Sequence, residues 1–361
     1  MTEARVGLVG CGVISATYLR VLAQFPNVEV VACADLDLER ARARAEEFGV
    51  PWASSVEELL ADPGVDVVLN LTPPRAHAVV SIAALEAAKH VYQEKPLGAT
   101  REEGTRILAA AERAGRRVGC APDTFLGAAL QTARALIDEG AIGEPVAAAA
   151  HVLSRGHEGW HPDPAFYYRT GGGPLLDMGP YYLTALVSLL GPVRRVSGSA
   201  RASFPTRLVT SRPRAGEVIE VEVPTHCAGV LDFENGAVGT LVTSFDVWAE
   251  SGAALNVYGA EGTLALPDPD EFGGTIQLLR PGSGSEDVPL TAGFADESRG
   301  LGLAEMADAI AAGRPHRASG ELAFHVLDVA ESLYESSLEG RHREIASGVR
   351  PEALPAGWRP E

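Results

Sequence analysis

Residues Arg5 to Asp35 constrain this chain more than any other stretch. Val6-Gly7-Leu8-Val9 is a short apolar run of β-favouring character, and it breaks into Gly10-Cys11-Gly12-Val13-Ile14-Ser15. An amphipathic segment from Ala16 to Gln24 follows, and a second β-rich run, Val28 to Ala34, ends on Asp35. Strand, glycine turn, helix, strand and acid, in that order, make the fingerprint of a dinucleotide-binding fold. Glycines let the backbone turn tightly and approach a pyrophosphate, whose charge sits at the positive N-terminus of the helix. Ser15 holds the third glycine position and is small enough for close helix–strand packing. The acid accepts hydrogen bonds from the adenosine ribose. A glycine pattern alone is often only a βα turn; the flanking strand and helix together with Asp35 select a nicotinamide dinucleotide. Gly10, Cys11, Gly12, Val13, Ile14, Asp35 and Leu36 are the cofactor-binding candidates of this stretch. Asp35 repels a 2′-phosphate and is followed by Leu36 rather than an arginine, so NAD is favoured over NADP, with Arg40 and Arg42 keeping NADP open.

The same alternation continues. Leu38 to Phe48 reads as a helix ending at Gly49, Ser55 to Leu60 as a capped helical turn, and Val65 to Leu71 as a buried strand stopped by Thr72-Pro73-Pro74. A helix over His77 to Ala88, a strand over His90 to Gln93, a helix over Arg101 to Ala114 and a strand over Arg117 to Cys120 follow. Strands alternating with helices predict a doubly wound parallel sheet whose ligands lie at the carboxyl ends of its strands. The Gly10 turn, Asp35, Thr72-Pro73-Pro74, Glu94-Lys95 and Asp123 all fall at such ends, which gathers a candidate active site there.

Beyond Asp123 the order changes. A helix from Leu126 to Glu139 precedes a strand from Val146 to Leu153, a loop rich in His, Trp and Tyr from His157 to Tyr168, and one helix opened by Gly171-Gly172-Gly173 and running to about Leu190. Strand-like segments then recur over Arg194 to Ser203, Glu217 to Val223, His226 to Phe233, Ala237 to Val247 and Ala254 to Tyr258, with turn signals at Glu234-Asn235-Gly236 and Gly259 to Gly262. Glu217 to Val223 alternates polar and apolar residues, as a sheet with one wet or partner-covered face does. Leu303 to Ala312 and Glu321 to Leu338 are closing helices, and the tail after Arg350 is expected to be loosely ordered. The fold class expected is α/β: an N-terminal Rossmann domain over residues 1–123 and a C-terminal α+β domain over 124–340, with a large, mostly antiparallel open sheet, then a tail over 341–361.

A length of 361 residues suits such a two-domain division. The charge of −18, from 30 Lys and Arg against 48 Asp and Glu, repels nucleic acid and anionic membranes and argues against both as partners; its plainest meaning is solubility. No apolar run is long enough to span a bilayer, and the first strand begins too early to leave room for a signal peptide. Cys11, Cys33, Cys120 and Cys227 are scattered without metal-ligand spacing, as reduced residues of a cytoplasmic protein are.

Four motifs in order, Gly10-Cys11-Gly12, Thr72-Pro73-Pro74, Glu94-Lys95-Pro96 and Gly171-Gly172-Gly173-Pro174-Leu175-Leu176-Asp177-Met178-Gly179-Pro180-Tyr181, resemble the Gfo/Idh/MocA oxidoreductases. The resemblance runs from Val6 to Leu338. It implies NAD(P)-dependent oxidation or reduction of sugars, inositols and related polyols, often in homodimers or homotetramers; the open sheet face points to self-association as well.

Hydride transfer from a secondary alcohol needs a group to take the hydroxyl proton and to return it in reverse. Lys95, at a strand's carboxyl end, suits that role once burial and the cationic ring lower its pKa; without the motif it reads as a surface lysine paired with Glu94. Asp177 and Tyr181 stand four apart, on one face of a helix. Many relatives carry His at the second position; Tyr181 resembles the glucose–fructose oxidoreductase and dihydrodiol dehydrogenase branches and is the candidate general acid/base. Asp177 would orient the substrate hydroxyl or Lys95. A helix cap for Asp177 and a core aromatic for Tyr181 are the structural alternatives.

The resemblance also implies that Thr72, Pro73, Pro74 and His77 line the nicotinamide and pyrophosphate, although His77 could be a plain helix-start residue. It implies that Glu94 bonds the nicotinamide ribose. Asp123 would border the ring and substrate, or cap the next helix. His157, Trp160, His161, Tyr168, Arg169 and Trp248 are substrate-binding candidates beside Lys95, Asp177 and Tyr181, because aromatic faces stack on sugars while donors bond hydroxyls. Trp248 could equally fill core. A metal held by His157, His161 and Asp163 is disfavoured, and none is expected. Arg207, Arg212 and Arg214 read as a solvated cluster, or as a contact for a phosphate or a neighbouring subunit. Two other functions remain open: a glycosidase that uses transient oxidation by bound NAD, and a non-catalytic NAD sensor, which would not need Lys95, Asp177 and Tyr181 together.

Overall fold

A computed structural model describes residues 3–248, 255–282 and 284–360. The chain divides into two compact units, one built from residues up to Leu126, Glu297–Phe324 and residues from Leu354, the other from Gly127–Asp296 and His325–Ala353.

The first unit opens with β1 (Ala4–Val9), α1 (Ser15–Leu22), β2 (Val28–Ala34), α2 (Leu38–Phe48), β3 (Trp52–Ser54) and α3 (Val56–Ala61). It continues with β4 (Val67–Asn70), α4 (Pro74–Glu86), β5 (His90–Gln93), α5 (Arg101–Ala114) and β6 (Val118–Cys120). The six strands pair in parallel in the order β3-β2-β1-β4-β5-β6. All four residues of β4 are buried because both its faces are covered, as a central parallel strand requires. Local signals set the helix ends. Asp37 caps α2 and Gly49 ends it at φ 68°, while Ser55 and Glu58 form a reciprocal capping box on α3. α4 begins at Pro74, three residues before the predicted start, because a proline suits the first helical turn where its missing N–H has no partner to lose.

Leu301–Ala311, a helix far along the chain, returns to this unit. The Cys120 amide donates to the Ala318 carbonyl (3.0 Å), Gly119 bridges Ser319, and Asn27 Nδ2 donates to the Ala304 carbonyl (2.8 Å) and to Asp308 (2.6 Å).

The second unit holds α6 (Ala128–Asp138), β7 (Pro145–Leu153), α7 (Pro174–Asp177), α8 (Gly179–Leu190), β8 (Val193–Arg201), β9 (Thr206–Leu208) and β10 (Val218–Glu220). β11 (His226–Phe233), β12 (Val238–Ser244), β13 (Leu255–Gly259), β14 (Thr263–Leu266), β15 (Ile276–Arg280), β16 (Gly284–Val288) and β17 (Arg343–Glu344) follow. Nine strands form one sheet, β16-β15-β14-β13-β7-β12-β11-β8-β17, antiparallel except where β7 meets β12. Leu231, Phe233, Leu241, Ala148, Ala150, Leu255, Val257 and Leu264 are buried on one face. On the other face the register aligns Ser197, Val230, Thr240, Ala149, Asn256, Ala265 and Gln277 in a row with no charged side chain.

Four expectations change. The helix predicted from the glycine run to about Leu190 is split at Met178 into α7 and α8, since Pro180 brings no N–H to continue the ladder. The alternating segment Glu217 to Val223 does not join the large sheet; its central residues pair with β9 in a separate two-stranded sheet. The strand expected over Ala237 to Val247 ends at Ser244, and Ala254 lies outside the described residues. The C-terminal segment is tied down as far as Pro351: β17 pairs with β8, Arg350 donates to the Leu189 carbonyl (2.9 Å), and Arg134 donates to the Pro351 carbonyl (3.2 Å).

Candidate active site

In the first unit, adjacent strands β1, β4, β5 and β6 deliver the Gly10 turn, Thr72, Glu94-Lys95 and Asp123 at their carboxyl ends. The strand order reverses between β1 and β4, the switch point where open α/β sheets leave a crevice for ligand.

Two glycines of the turn answer to different demands. Gly10 has φ +100°, and a Cβ there would lie 2.8 Å from both the carbonyl carbon and oxygen of Leu71, so the fold itself requires glycine. At Gly12 a Cβ would meet nothing within 4 Å, and its φ lies outside the left-handed region. Among the described residues no atom requires that glycine; the close backbone approach of a dinucleotide would. Ser15 Oγ (2.6 Å) and Arg44 Nη2 (3.2 Å) both donate to the Gly12 carbonyl and hold the turn open-faced. Val13 is 75% exposed and Leu36 fully so, two apolar side chains offered to solvent around a polar cradle. Asp35 accepts from the Cys11 amide (2.8 Å) and the Asp37 amide (3.0 Å), which ties the turn to the end of β2. Cys11 itself is buried, its thiol 3.6 Å from the Ala34 carbonyl, so it shapes the turn without presenting a side chain. Arg40 lies 3.9 Å from Asp35 and Arg42 is turned to Glu39 (2.5 Å). These residues fit a dinucleotide.

A buried polar network then fixes the next two loops. Asn70 Oδ1 accepts from the Thr72 amide (3.2 Å) and hydroxyl (2.6 Å), while Asn70 Nδ2 donates to Ser81 Oγ (2.9 Å). Ser81 donates to Gln93 Oε1 (2.7 Å), and Gln93 Nε2 donates to the Leu97 carbonyl (2.8 Å). His77 is fully buried with Nδ1 2.7 Å from the Pro96 carbonyl and Nε2 2.8 Å from the Thr72 carbonyl, and burial pushes its pKa down. His77 therefore clamps the Thr72 loop to the Lys95-Pro96 loop, and its ring is not offered to a ligand. Glu94 is held at both oxygens, by the Tyr18 hydroxyl (2.8 Å) and the Lys95 amide (3.0 Å). Sequence reading singled out neither Asn70, Ser81 nor Gln93, because nothing local marks a side chain that works beneath a loop.

Asp123 departs from the expectation of a residue bordering the ring. It is buried, and its carboxylate accepts from the amides of Gly300 and Gly302 (2.9 Å each), capping the distant helix Leu301–Ala311. Burial pushes its pKa up to about 6 against the lowering effect of those two amides.

In the second unit the loop from His157 to Arg169 folds onto its own aromatics. His157 stacks on Tyr167 (3.7 Å between centroids, 14°) and meets the edge of Phe245 (4.7 Å), and its Nε2 lies 3.4 Å from Asp177 Oδ2. Gly172 explains part of the glycine run: a Cβ there would come 2.6 Å from the carbonyls of Phe166 and Tyr167. Gly173, at φ +84°, donates to the Tyr167 carbonyl (2.7 Å) and caps α7, placing Asp177 at that helix's end and Tyr181, buried, in the first turn of α8.

The other substrate candidates divide. Trp160 and Arg169 are exposed, and His161 lies edge-on to Trp160 (5.3 Å) with its pKa lowered by burial. Tyr168 is a core residue instead, packed with Val209, Ile219 and Phe245, its hydroxyl donated to Glu158. Trp248 does not fill core; it is 85% exposed, with Arg155 5.5 Å from its ring. Arg207 is not solvated: it is buried and bonds Glu158 (2.9 Å), Asp246 and the Phe245 carbonyl (3.0 Å), whereas Arg212 is exposed and Arg214 pairs with Asp163 and Glu217. No group of three His, Cys, Asp or Glu that could hold a metal occurs among the described residues.

Comparison with known proteins matches two segments of the chain. Residues 4–121 match an oxidoreductase family with an NAD-binding Rossmann fold, and residues 130–265 match the GFO/IDH/MocA C-terminal domain. The chain is 30% identical to inositol 2-dehydrogenase 1 of Saccharopolyspora erythraea, covering 96% of this chain and 98% of that one. It is 29% identical to 1,5-anhydro-D-fructose reductase of Ensifer adhaerens, covering 96% and 99%. The crystal structure of an NAD-binding oxidoreductase from Klebsiella pneumoniae superimposes with a TM-score of 0.84 at 24% identity, over 96% of this chain and all of the other.

Proposed function

The chain belongs to the Gfo/Idh/MocA oxidoreductases, and on that premise we propose that it transfers a hydride between a secondary hydroxyl of a sugar, inositol or related glycoside and NAD. The observation that carries this reading is Gly12, a glycine at the sheet's switch point that no protein atom demands. NAD, when bound, accepts or returns the hydride. Gly10, Gly12, Val13, Ile14, Asp35, Leu36, Thr72, Pro73, Pro74 and Glu94 hold it, with Asp35 and Leu36 selecting against a 2′-phosphate. Lys95 takes the hydroxyl proton during oxidation and returns it during reduction. Tyr181 passes that proton onward, and Asp177 orients the hydroxyl that gives it up. Trp160 and Arg169, both exposed, and the half-buried His161 supply the aromatic and donor groups that a polyol recognises.

The test is nicotinamide absorbance with NAD and a panel of sugars, inositols and glycosides, with NADH and 1,5-anhydro-D-fructose for the reverse direction. Turnover that falls at least about a hundredfold in Lys95→Ala supports the assignment; undiminished turnover refutes it. Substrate cleavage with no net change in nicotinamide would favour the glycosidase chemistry instead.

The protein is further proposed to be a cytoplasmic homodimer or homotetramer joined through the open face of the nine-stranded sheet. A row that stays uncharged from Ser197 on β8 to Gln277 on β15, and reaches a charge only at Asp287 on β16, supports a surface covered over its middle strands. Light scattering that finds only monomer overturns it. No helix among the described residues is long and apolar enough to cross a membrane, and all four cysteines are buried and unpaired, which suits a reducing compartment.

A further inference from the structure

We infer that His157 is the positioning residue for Asp177, presenting Nε2 to the carboxylate and fixing the direction in which that carboxylate points. The inference rests on the reading of Asp177 as a group that orients the substrate hydroxyl.

Three features of the second unit carry it. Nε2 of His157 and Oδ2 of Asp177 stand 3.4 Å apart, with the two side chains only 11% and 12% exposed, so water screens the pair weakly. The imidazole cannot turn away. It is stacked on Tyr167 at 3.7 Å, lies at 76° to Phe245, and its own backbone amide donates to the Tyr168 hydroxyl (3.4 Å). That hydroxyl bonds Glu158, which Arg207 holds at 2.9 Å, so the loop is anchored to a buried ion pair.

Nδ1 supplies the third feature. It is buried and has no hydrogen-bond partner among the described residues. A neutral imidazole carries one ring proton. On Nδ1 it would be a buried donor facing nothing; on Nε2 it faces a carboxylate. The cost of an unmet buried donor therefore sets the tautomer, and His157 acts as a one-directional donor aimed at Asp177.

The titratable and charged groups around this ring are Asp177 opposite it, His161 and Glu158 on its own loop, Tyr167 and Tyr168 on the following 3-10 turn, and Arg207 behind Glu158. A change in the pH profile caused by replacing His157 is to be compared with that set.

The experiment uses the full chain with NAD, in wild type, His157→Phe, His157→Gln and Asp177→Asn. Phenylalanine keeps a ring for Tyr167 and Phe245 but has no donor; glutamine keeps a donor near the place of Nε2 but has no ring. With the best substrate of the panel, His157→Phe is expected to lower kcat roughly ten- to a hundredfold with KM little changed and the pH profile altered. His157→Gln is expected to recover most of that loss. Independently of turnover, ring nitrogen-15 NMR on the wild type is expected to show His157 protonated at Nε2, with a shift in Asp177→Asn. Wild-type kcat in His157→Phe, no recovery in His157→Gln, or a ring proton on Nδ1 overturns the inference. If Asp177→Asn retains full turnover, the reading of Asp177 itself falls and takes the catalytic half of this inference with it. If Asp177→Asn is inactive while His157→Phe is unaffected, only the role of His157 falls.

Discussion

Gly10 and Gly12 stand two residues apart, and alanine at each separates what the fold requires from what the ligand requires. At Gly10 the backbone has φ +100°, and a Cβ would lie 2.8 Å from the Leu71 carbonyl group and 2.9 Å from the Thr72 amide nitrogen. An L-residue in the left-handed region costs about 1–2 kcal/mol, and overlap with backbone that cannot rotate aside adds about 1–3 kcal/mol. Leu71 cannot shift freely, since its amide is bonded to the Val9 carbonyl at 2.8 Å. Gly10→Ala should therefore lose about 2–5 kcal/mol of stability without any ligand present. Gly12→Ala meets nothing within 4 Å and needs no left-handed backbone. It should leave apo stability unchanged or raise it by about 0.4–1 kcal/mol through the unfolded chain's lost entropy. Its methyl group occupies the space a pyrophosphate would approach, so NAD affinity should fall at least about tenfold, or 1.4 kcal/mol. The assay is urea unfolding followed by tryptophan fluorescence, without NAD and with NAD at about a hundred times the wild-type Kd, where binding adds about 2.7 kcal/mol. Wild type should gain that increment and Gly12→Ala should lose much of it. Equal destabilisation by the two alanines, or wild-type NAD affinity in Gly12→Ala, would refute the reasoning.

Three further outcomes follow from other residues. Burial raises the Asp123 pKa to about 6, so the folded state holds that proton more tightly than the unfolded chain. Its contribution is complete only well below pH 4 and is lost as pH rises to about 6, so wild type should fall relative to Asp123→Asn by about 2 kcal/mol between pH 4 and pH 7 in urea titrations; parallel curves would sink the claim. Gln93→Leu removes the bonds to Ser81 and the Leu97 carbonyl and should cost about 2–4 kcal/mol, read from the urea midpoint, with a weaker NAD complex because both ligand loops lose their common anchor. Asp35→Ala should weaken NAD about tenfold and move cofactor preference toward NADP, measured as the ratio of kcat/KM values; an unchanged ratio counts against Asp35 as the discriminator.

Local chemistry made much of this molecule legible. The β1 run, the Gly10 turn and Asp35 sit where their spacing put them, since a turn at φ +100° and a strand buried on both faces each leave a mark on a few consecutive residues. The Glu234-Asn235-Gly236 turn joins β11 to β12 for the same reason. The misreadings have a common cause. Pro180 breaks a helix that apolar periodicity carried through, and the alternation of Glu217 to Val223 marked a strand but not the sheet it joins. Arg207 looked solvated because its partners, Glu158 and Asp246, are 49 and 39 residues away. The core alternative for Trp248 fails because hydrophobicity does not say whether anything lies opposite.

The sequence by itself determined the doubly wound order and the glycine turn with its acid. These are properties of residue type and short spacing. Tertiary structure alone decided what each polar side chain faces. It gave Asp123 to the start of a helix 177 residues away, set Asn70, Ser81, Gln93 and His77 beneath the Thr72 and Lys95-Pro96 loops, and brought His157 against Asp177. A buried donor or acceptor must find a partner wherever the chain supplies one. Partners that distant are fixed only when the two units close around their cores.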